Sequence, residues 1–211
     1  MKKLAIIGHD QFSLQEIANL MAMFKNHYDI ESEIISSSKE DIKTEEGIYV
    51  KVDKTFDQFR IEDYYAIIVS GSADFRKSIN DSLLIDFLHS LKDKKILKAA
   101  ICAGPIFFAK AGLLHNKKFT NSLFLQVNEK IKYIDFDNFV EKPVVKDGDI
   151  LTAVGVAYKE FAVEIARALG FKVNERSYFG FSDEKEIEYN YKLDDESYKL
   201  FREFFKDDIL S

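Results

Sequence analysis

Residues 98–112 of the chain read Lys-Ala-Ala-Ile-Cys-Ala-Gly-Pro-Ile-Phe-Phe-Ala-Lys-Ala-Gly. A short apolar run ends at Cys102, the only cysteine in the sequence, and a Gly-Pro pair follows at once. The apolar residues after Pro105 have helical rather than alternating spacing, and proline is well tolerated in a first helical turn. The pattern predicts a buried strand, a sharp turn that carries Cys102, and a helix that starts near Pro105.

Two interpretations of Cys102 follow from this geometry. A side chain on such a turn is lifted above the sheet edge beside a helix N-terminus, where free N–H groups and the helix dipole favour a thiolate with a lowered pKa. A free cysteine in an apolar run is also often a small buried hydrophobe without chemistry. The spacing alone leaves both interpretations open.

Composition restricts the class of protein. The chain has 211 residues, 46% hydrophobic and 31% charged, which is typical of one soluble globular domain. The net charge of −6, with acids and bases mixed along the chain, argues against a nucleic-acid partner. A single cysteine excludes an intrachain disulfide, and no apolar run approaches the ~18 residues of a membrane span. The first apolar run is too short for a signal peptide, so we expect a cytoplasmic protein with no membrane segment.

Apolar patterning along the rest of the chain predicts alternating strands and helices. The predicted strands cover residues 4–7, 30–36, 64–71, 96–101, 143–146 and 150–153, with an edge strand or hairpin arm at 47–53 and a further strand at 185–191. The predicted helices begin near residue 13 and cover residues 80–91, 105–114, 158–169 and 194–205. Residues 37–47 are expected to form a loop, and residues 118–139 either short strands or a covering loop.

This alternation predicts an α/β fold with a mainly parallel sheet in three layers. In such sheets ligands lie outside the carboxyl ends of the strands. The residues that follow the first, third and fourth core strands include Glu16, Gly71 and Cys102. The candidate site is therefore expected at this edge of the sheet.

Several of these segments together resemble the DJ-1/PfpI superfamily, the ThiJ-like proteins related to class I glutamine amidotransferases. Residues 100–113 resemble the nucleophile elbow of that superfamily. The match also includes residues 67–71, 145–152 and 160–166, Gly155, and the segment after the first strand. The resemblance covers about residues 3–172. It implies a flavodoxin-like α/β sandwich, one domain over residues 1–211 with a C-terminal helical extension at about 193–206, a homodimer, and Cys102 as the nucleophile.

The resemblance also implies a role for Glu16. It aligns with a glutamate in the first helix of the family whose carboxyl group contacts the elbow cysteine. The competing interpretation is a capping box in which Glu16 pairs with Ser13. Beside a thiolate, like charge and burial would raise the pKa of Glu16, which could then donate a hydrogen bond to sulfur. The same arrangement would hold a sulfinate if the cysteine were oxidised.

An oxyanion hole is the third implied feature. Gly71 matches the first residue of a Gly-Gly pair in the family, and Ser72 replaces the second glycine. The backbone N–H groups of Gly71, Ser72 and Ala103 would then face the substrate oxygen. The alternative is that Gly71 only permits a turn.

The chain departs from the family at the positions of histidine. PfpI-type proteases follow the cysteine with histidine, where this chain has Ala103, and DJ-1-type members have a histidine at the place matched by Asn121. Peptidase and amidotransferase chemistry therefore loses its general base, although Asn121 could orient a ligand or water. His9 lies on the right sheet edge to approach Cys102, but a histidine on a surface loop is the preferred interpretation.

Neither a metal site nor a cofactor is expected. Histidine and cysteine are too few for a metal site, and no nucleotide-binding motif occurs.

Two functions remain open. One is an enzyme that acts through Cys102 on small electrophilic, carbonyl or amide compounds, of the hydrolase, amidase or glyoxalase-like kind that the resemblance implies. The other is a non-enzymatic redox-responsive or stress protein in which an oxidant converts Cys102 to sulfinate. In either case the expected partner is a small molecule, a substrate or an oxidant.

Overall fold

The computed structural model of the chain describes residues 2–174 and 194–205. Its strands are β1 (Lys3–Ile7), β2 (Ser32–Ser36), β3 (Ile42–Lys43), β4 (Tyr49–Val50), β5 (Lys54–Thr55), β6 (Tyr64–Val69), β7 (Leu97–Ile101), β8 (Val144–Asp147) and β9 (Ile150–Ala153). Its helices are α1 (Gln15–Tyr28), α2 (Ser82–Ser90), α3 (Pro105–Lys110), α4 (Leu125–Asn128), α5 (Tyr158–Ala168) and α6 (Asp195–Phe205).

Seven of these strands form one sheet in the order β5-β2-β1-β6-β7-β9-β8. Neighbouring strands are parallel except β8 and β9, which form an antiparallel pair across the predicted Asp147-Gly148 turn. The predicted mainly parallel α/β fold is therefore confirmed. The chain runs outward from β1 to β2 and returns to β6 on the other side of β1. Because the strand order changes direction between β1 and β6, ligand-binding residues are expected after β1 and β6.

Two apolar cores cover the two faces of the sheet. Successive strand residues point to opposite faces, so Ile67 and Val69 join one core and Ala66 and Ile68 the other. The first core includes side chains of α2 and α3, and the second includes side chains of α1 and α5. Burial on both faces explains why the central strands read as unbroken apolar runs. The three predicted layers are present.

Some predicted boundaries were wrong. Residues 37–47 contain β3, which pairs with β4 in a short hairpin, and β5 was not predicted. Of the two alternatives for residues 118–139, the structure favours the covering loop, with the single helical turn α4 and a 3-10 turn at Phe136–Asn138. Helix α3 ends at Lys110, earlier than predicted, because Gly112 adopts a left-handed conformation with a φ of 74°. The N–H of Leu113 then donates to the carbonyl of Phe108, as in a Schellman motif.

The chain divides into two compact units, Met1–Tyr178 and Phe179–Ser211. The second contains α6, and its predicted helix at 194–205 is confirmed. At its start, Asp194 accepts a hydrogen bond of 2.8 Å from the Ser197 N–H. The predicted strand at 185–191 lies outside the described residues, and the single-domain organisation stays a prediction. Over the described residues, no helix combines the length and apolar character needed to cross a membrane.

The N-cap of α2 offers a test of local stability. Asp81 accepts hydrogen bonds from the N–H groups of Leu83 at 3.0 Å and Leu84 at 3.3 Å. Asp81→Ala removes both, together with a bond of 2.8 Å that Asp81 accepts from the Ser37 hydroxyl, so we expect the free energy of unfolding to fall by about 1 kcal/mol in urea denaturation. Asp86→Ala, at an exposed position inside the same helix, is the control and should cost less than about 0.5 kcal/mol. Equal losses in the two variants would contradict the capping role.

Candidate functional site

Cys102 lies on the predicted sharp turn between β7 and α3. Its φ is 61°, in the left-handed region that residues other than glycine rarely adopt. Two hydrogen bonds of 2.9 Å hold this conformation: the Cys102 N–H donates to the carbonyl of Ala153, and the Cys102 carbonyl accepts from the N–H of Ser122. The residue is partly exposed. A strained, partly exposed cysteine held by its neighbours is a conformation found at functional sites.

Two glycines allow the surrounding chain to approach Cys102 closely. A Cβ atom at Gly71 would lie 2.7 Å from the N atom of Ala103 and 2.8 Å from the Cβ of Cys102. A Cβ atom at Gly155 would lie 3.0 Å from the Cys102 sulfur and 3.2 Å from Oε1 of Glu16. Both positions therefore require a residue without a side chain. Gly155 was not among the predicted site residues.

Glu16 faces the thiol from the first turn of α1. Its side chain is buried, and its Oε2 accepts a hydrogen bond of 2.7 Å from the N–H of Gly71. A hydrogen bond also joins its carboxyl group to the Cys102 side chain. The structure thus places Glu16 beside Cys102, as the site interpretation predicts.

The capping-box interpretation of Glu16 is wrong. Glu46, which reaches α1 from the loop between β3 and β4, caps the helix instead. Its Oε1 accepts hydrogen bonds from the Ser13 hydroxyl at 3.2 Å and from the Gln15 N–H at 2.8 Å. Because a distant residue satisfies the helix end, the Glu16 carboxyl is free to face Cys102.

The protonation of the pair differs from the expectation for a helix-end cysteine. Burial raises the pKa of Glu16, in the predicted direction. Burial, followed by the charge of Glu16, raises the pKa of Cys102 to about 12. Hydrogen bonds from Ser122 and Ala103 oppose this effect but do not outweigh it. The prediction of a lowered thiol pKa was wrong, because burial and a neighbouring carboxylate outweigh the end of a short helix. Two like charges this close ionise in separate steps, so ionisation of either group raises the pKa of the other.

The predicted oxyanion donors are used differently from the expectation. The N–H of Gly71 donates to Glu16, so it is not available to a substrate oxygen. The N–H of Ala103 points towards the Cys102 sulfur and stabilises its charged form. Ser72 is buried, and its hydroxyl accepts from the N–H of Asp74 at 3.2 Å. A role for the Ser72 N–H stays a prediction.

Asn121 does not face Cys102, which corrects its predicted ligand-orienting role. Its buried amide exchanges two hydrogen bonds with Asn128, at 2.9 and 3.0 Å, and accepts another from the N–H of Leu123. The next residue, Ser122, reaches the site instead. Its hydroxyl hydrogen-bonds to the Cys102 side chain and accepts a bond of 2.7 Å from the N–H of Gly155. No sequence motif singled out Ser122 beyond its position next to Asn121.

His9 is buried in the protein interior, so its assignment to a surface loop was wrong. Its Nε2 lies 3.1 Å from the carbonyl of Ser70, and its Nδ1 lies 3.1 Å from the hydroxyl of Ser78. The ring packs 4.9 Å from the ring of Phe107, and burial lowers the pKa of the imidazole. With both nitrogens engaged elsewhere, His9 is not placed to act as a base on Cys102. Within residues 2–174 and 194–205, no group of three or more His, Cys, Asp or Glu is arranged to hold a metal ion.

The chain is similar to known proteins in sequence and in fold. The sequence model of the DJ-1/PfpI family matches residues 2–168. An uncharacterized protease of Bacillus subtilis is 28% identical over 162 residues, which cover 75% of this chain and 77% of that protein. Drosophila melanogaster dj-1beta is 31% identical over 138 residues, which cover 63% of this chain and 71% of that protein. The crystal structure of a DJ-1 superfamily protein from Agrobacterium tumefaciens superposes with a TM-score of 0.74 at 25% identity, covering 84% of this chain and 94% of that one.

Proposed function

The chain belongs to the DJ-1/PfpI family, and on that premise we propose that Cys102 is a nucleophile for small electrophilic carbonyl or amide compounds. The observation that carries the proposal is the pairing of a strained, partly exposed cysteine with the buried carboxyl group of Glu16. A carboxyl group with a raised pKa beside a thiol is suited to move the proton of that thiol.

The reaction that this pair supports best is addition of the thiol to a carbonyl group. Glu16 takes the proton of Cys102 while the sulfur forms a bond to the carbonyl carbon. The π electron pair of the carbonyl moves onto its oxygen, which then receives the proton from Glu16. This step adds S–H across C=O. In a 2-oxoaldehyde, Glu16 then moves the C1 proton to C2, which gives a thioester of the 2-hydroxy acid. Water cleaves the thioester, releases the hydroxy acid and restores the thiol, so no cofactor is needed. The Ala103 N–H and the Ser122 hydroxyl, both next to the sulfur, are the nearest donors for the developing oxyanion.

A peptidase reaction is not favoured. The general base of the known Cys–His layouts is histidine, and His9 makes its ring contacts away from Cys102. Glu16 alone would have to accept the thiol proton and later protonate a leaving amine. Addition to an aldehyde expels no leaving amine.

Oxidation of Cys102 is the second candidate, and the ring of donors around the sulfur favours it. Two molecules of a peroxide would each transfer one oxygen atom to the sulfur and leave as water or alcohol, which converts the thiol to sulfinate. Protonated Glu16, the Ser122 hydroxyl and the Ala103 N–H would stabilise the sulfinate oxygens. For either candidate we propose a cytoplasmic homodimer, which family membership supports.

One experiment separates the two candidates. Purified protein and Cys102→Ala are incubated with phenylglyoxal, with product analysis by chromatography, and separately with hydrogen peroxide, with intact mass analysis. We expect the wild type to convert phenylglyoxal to the hydroxy acid and Cys102→Ala to show only the background rate. No conversion together with rapid gain of two oxygen atoms at Cys102 would favour the redox candidate. Neither conversion nor oxidation faster than in the unfolded chain would overturn both.

A further inference from the structure

The loop between β3 and β4 places two carboxylates beside the Cys102 site. We call residues 44–47 the acidic loop, after Glu45 and Glu46. Glu45 Oε2 accepts a hydrogen bond of 2.8 Å from the N–H of Ala73, and Glu46 Oε1 accepts one of 2.8 Å from the N–H of Gln15. The N–H of Glu45 also donates to the carbonyl of Phe12 at 3.3 Å. The acidic loop is therefore anchored to both segments that border the thiol, the start of α1 and the turn after β6.

The charges of the acidic loop act on the site. Burial is the main cause of the raised pKa of Glu16, and the charges of Glu45 and Glu46 raise it further. The cation of the hairpin is Lys43, on β3.

Charges on the neighbouring segments are paired with one another. Lys77 lies 2.9 Å from Asp10, and Arg76 lies 2.6 Å from Asp74. Because Lys77 and Arg76 are each paired with a carboxylate of their own, neither balances the charges of the acidic loop.

Exposed apolar side chains follow Ser122 and Gly155 in the sequence, and the Gly155 N–H donates to the Ser122 hydroxyl at 2.7 Å. Phe124 is 79% exposed and Val156 is 88% exposed. Neither side chain offers a counter-charge to an anion that approaches Cys102.

We propose that the acidic loop makes the Cys102 site discriminate against anionic electrophiles, so that its substrates are uncharged or cationic compounds. The inference rests on the proposed function of Cys102 and adds the charge class of its substrates. Charges of one sign beside a partly enclosed site repel like-charged molecules and lower their rate of approach. Repulsion of the wrong substrate is a common source of specificity.

The test compares two reagents of similar size, uncharged iodoacetamide and anionic iodoacetate. In both reactions the thiolate sulfur forms a bond to the methylene carbon and iodide leaves. The measured quantity is the second-order rate constant for iodoacetamide at Cys102 divided by that for iodoacetate. This ratio in the native protein is then divided by the same ratio in the urea-unfolded chain. For the native wild type at low ionic strength we expect a value of about ten, which should fall as salt screens the charges.

Variants locate the source of the preference. Glu45→Gln combined with Glu46→Gln removes both charges but keeps an oxygen to accept each anchoring hydrogen bond, and we expect its value to fall towards one. The matched control combines Glu62→Gln with Asp93→Asn. It changes the net charge equally at exposed positions before β6 and β7, at the opposite edge of the sheet, and should keep the wild-type value.

The outcomes separate this inference from the proposed function. Rapid alkylation by both reagents without a charge preference, or an equal change in the control variant, would overturn the inference and leave the nucleophilic role of Cys102 intact. Failure of both reagents to modify native Cys102 would overturn both. If the double variant does not fold, the salt dependence of the wild type still decides, since a preference that does not respond to salt is not electrostatic.

Discussion

Replacing Glu16 with glutamine is expected to slow the carbonyl chemistry of Cys102 about a hundredfold while making its thiol easier to ionise. The first effect follows because glutamine cannot accept the thiol proton. The second follows because the charge of Glu16 helps to raise the pKa of Cys102 to about 12. Without that charge the pKa of the thiol falls, and the inflection in the rate of alkylation by iodoacetamide against pH should move down by about one unit or more.

The rate of the carbonyl reaction falls while the thiol becomes easier to ionise. A misfolded site would not produce both changes together. Glu16→Asp is the conservative control, because it keeps a carboxylate in the site and should retain part of both properties. An inflection that stays in place or rises in Glu16→Gln would contradict this assignment. It would show that Glu16 is protonated in the native protein and stabilises the thiolate by donating a hydrogen bond.

Gly104→Ala is expected to cost about 3 kcal/mol of the free energy of unfolding, the largest loss of stability that we predict. Its φ of −51° suits any residue, so the cost comes only from crowding. A Cβ atom at Gly104 would lie 2.7 Å from the carbonyl oxygen of Val69 and 2.8 Å from that of Ile101. Both are backbone atoms at the ends of central strands, which cannot move away without breaking the sheet.

Gly112→Ala is the matched comparison because its cost comes from backbone strain, without crowding of the added Cβ atom. A Cβ atom there would have no neighbour within 4 Å, but the φ of 74° is strained for alanine. We expect a loss of about 1 kcal/mol, measured like that of Gly104→Ala by denaturant unfolding. A loss at Gly112 equal to or greater than that at Gly104 would show that crowding next to Cys102 is relieved by movement of the backbone.

Much of the fold was predictable because it depends on local patterns. The apolar run of β6, the Asp147-Gly148 turn and the Gly104-Pro105 pair each indicate their structure from adjacent residues alone. Elements of two residues, such as β3 and β5, escaped prediction because they have too few residues to show a period. Helix α3 was predicted too long because its apolar pattern continues past Gly112, whose left-handed conformation ends it.

Within the site, the sequence by itself determined that Cys102 lies on a sharp turn after a buried strand, and the family resemblance pointed to Glu16. Only the tertiary structure decided which side chains contact Cys102 and Glu16 and how the pKa of the thiol changes. Glu46 caps α1 from 31 positions after Gln15 and leaves Glu16 free to face the sulfur, and Ser122 rather than Asn121 reaches the thiol. Local patterning sets where the chain turns, whereas burial and long-range pairing set which side chains meet and which of them holds the proton. The raised pKa of Cys102 is such a property, since it arises from the segments that the sheet brings around one atom.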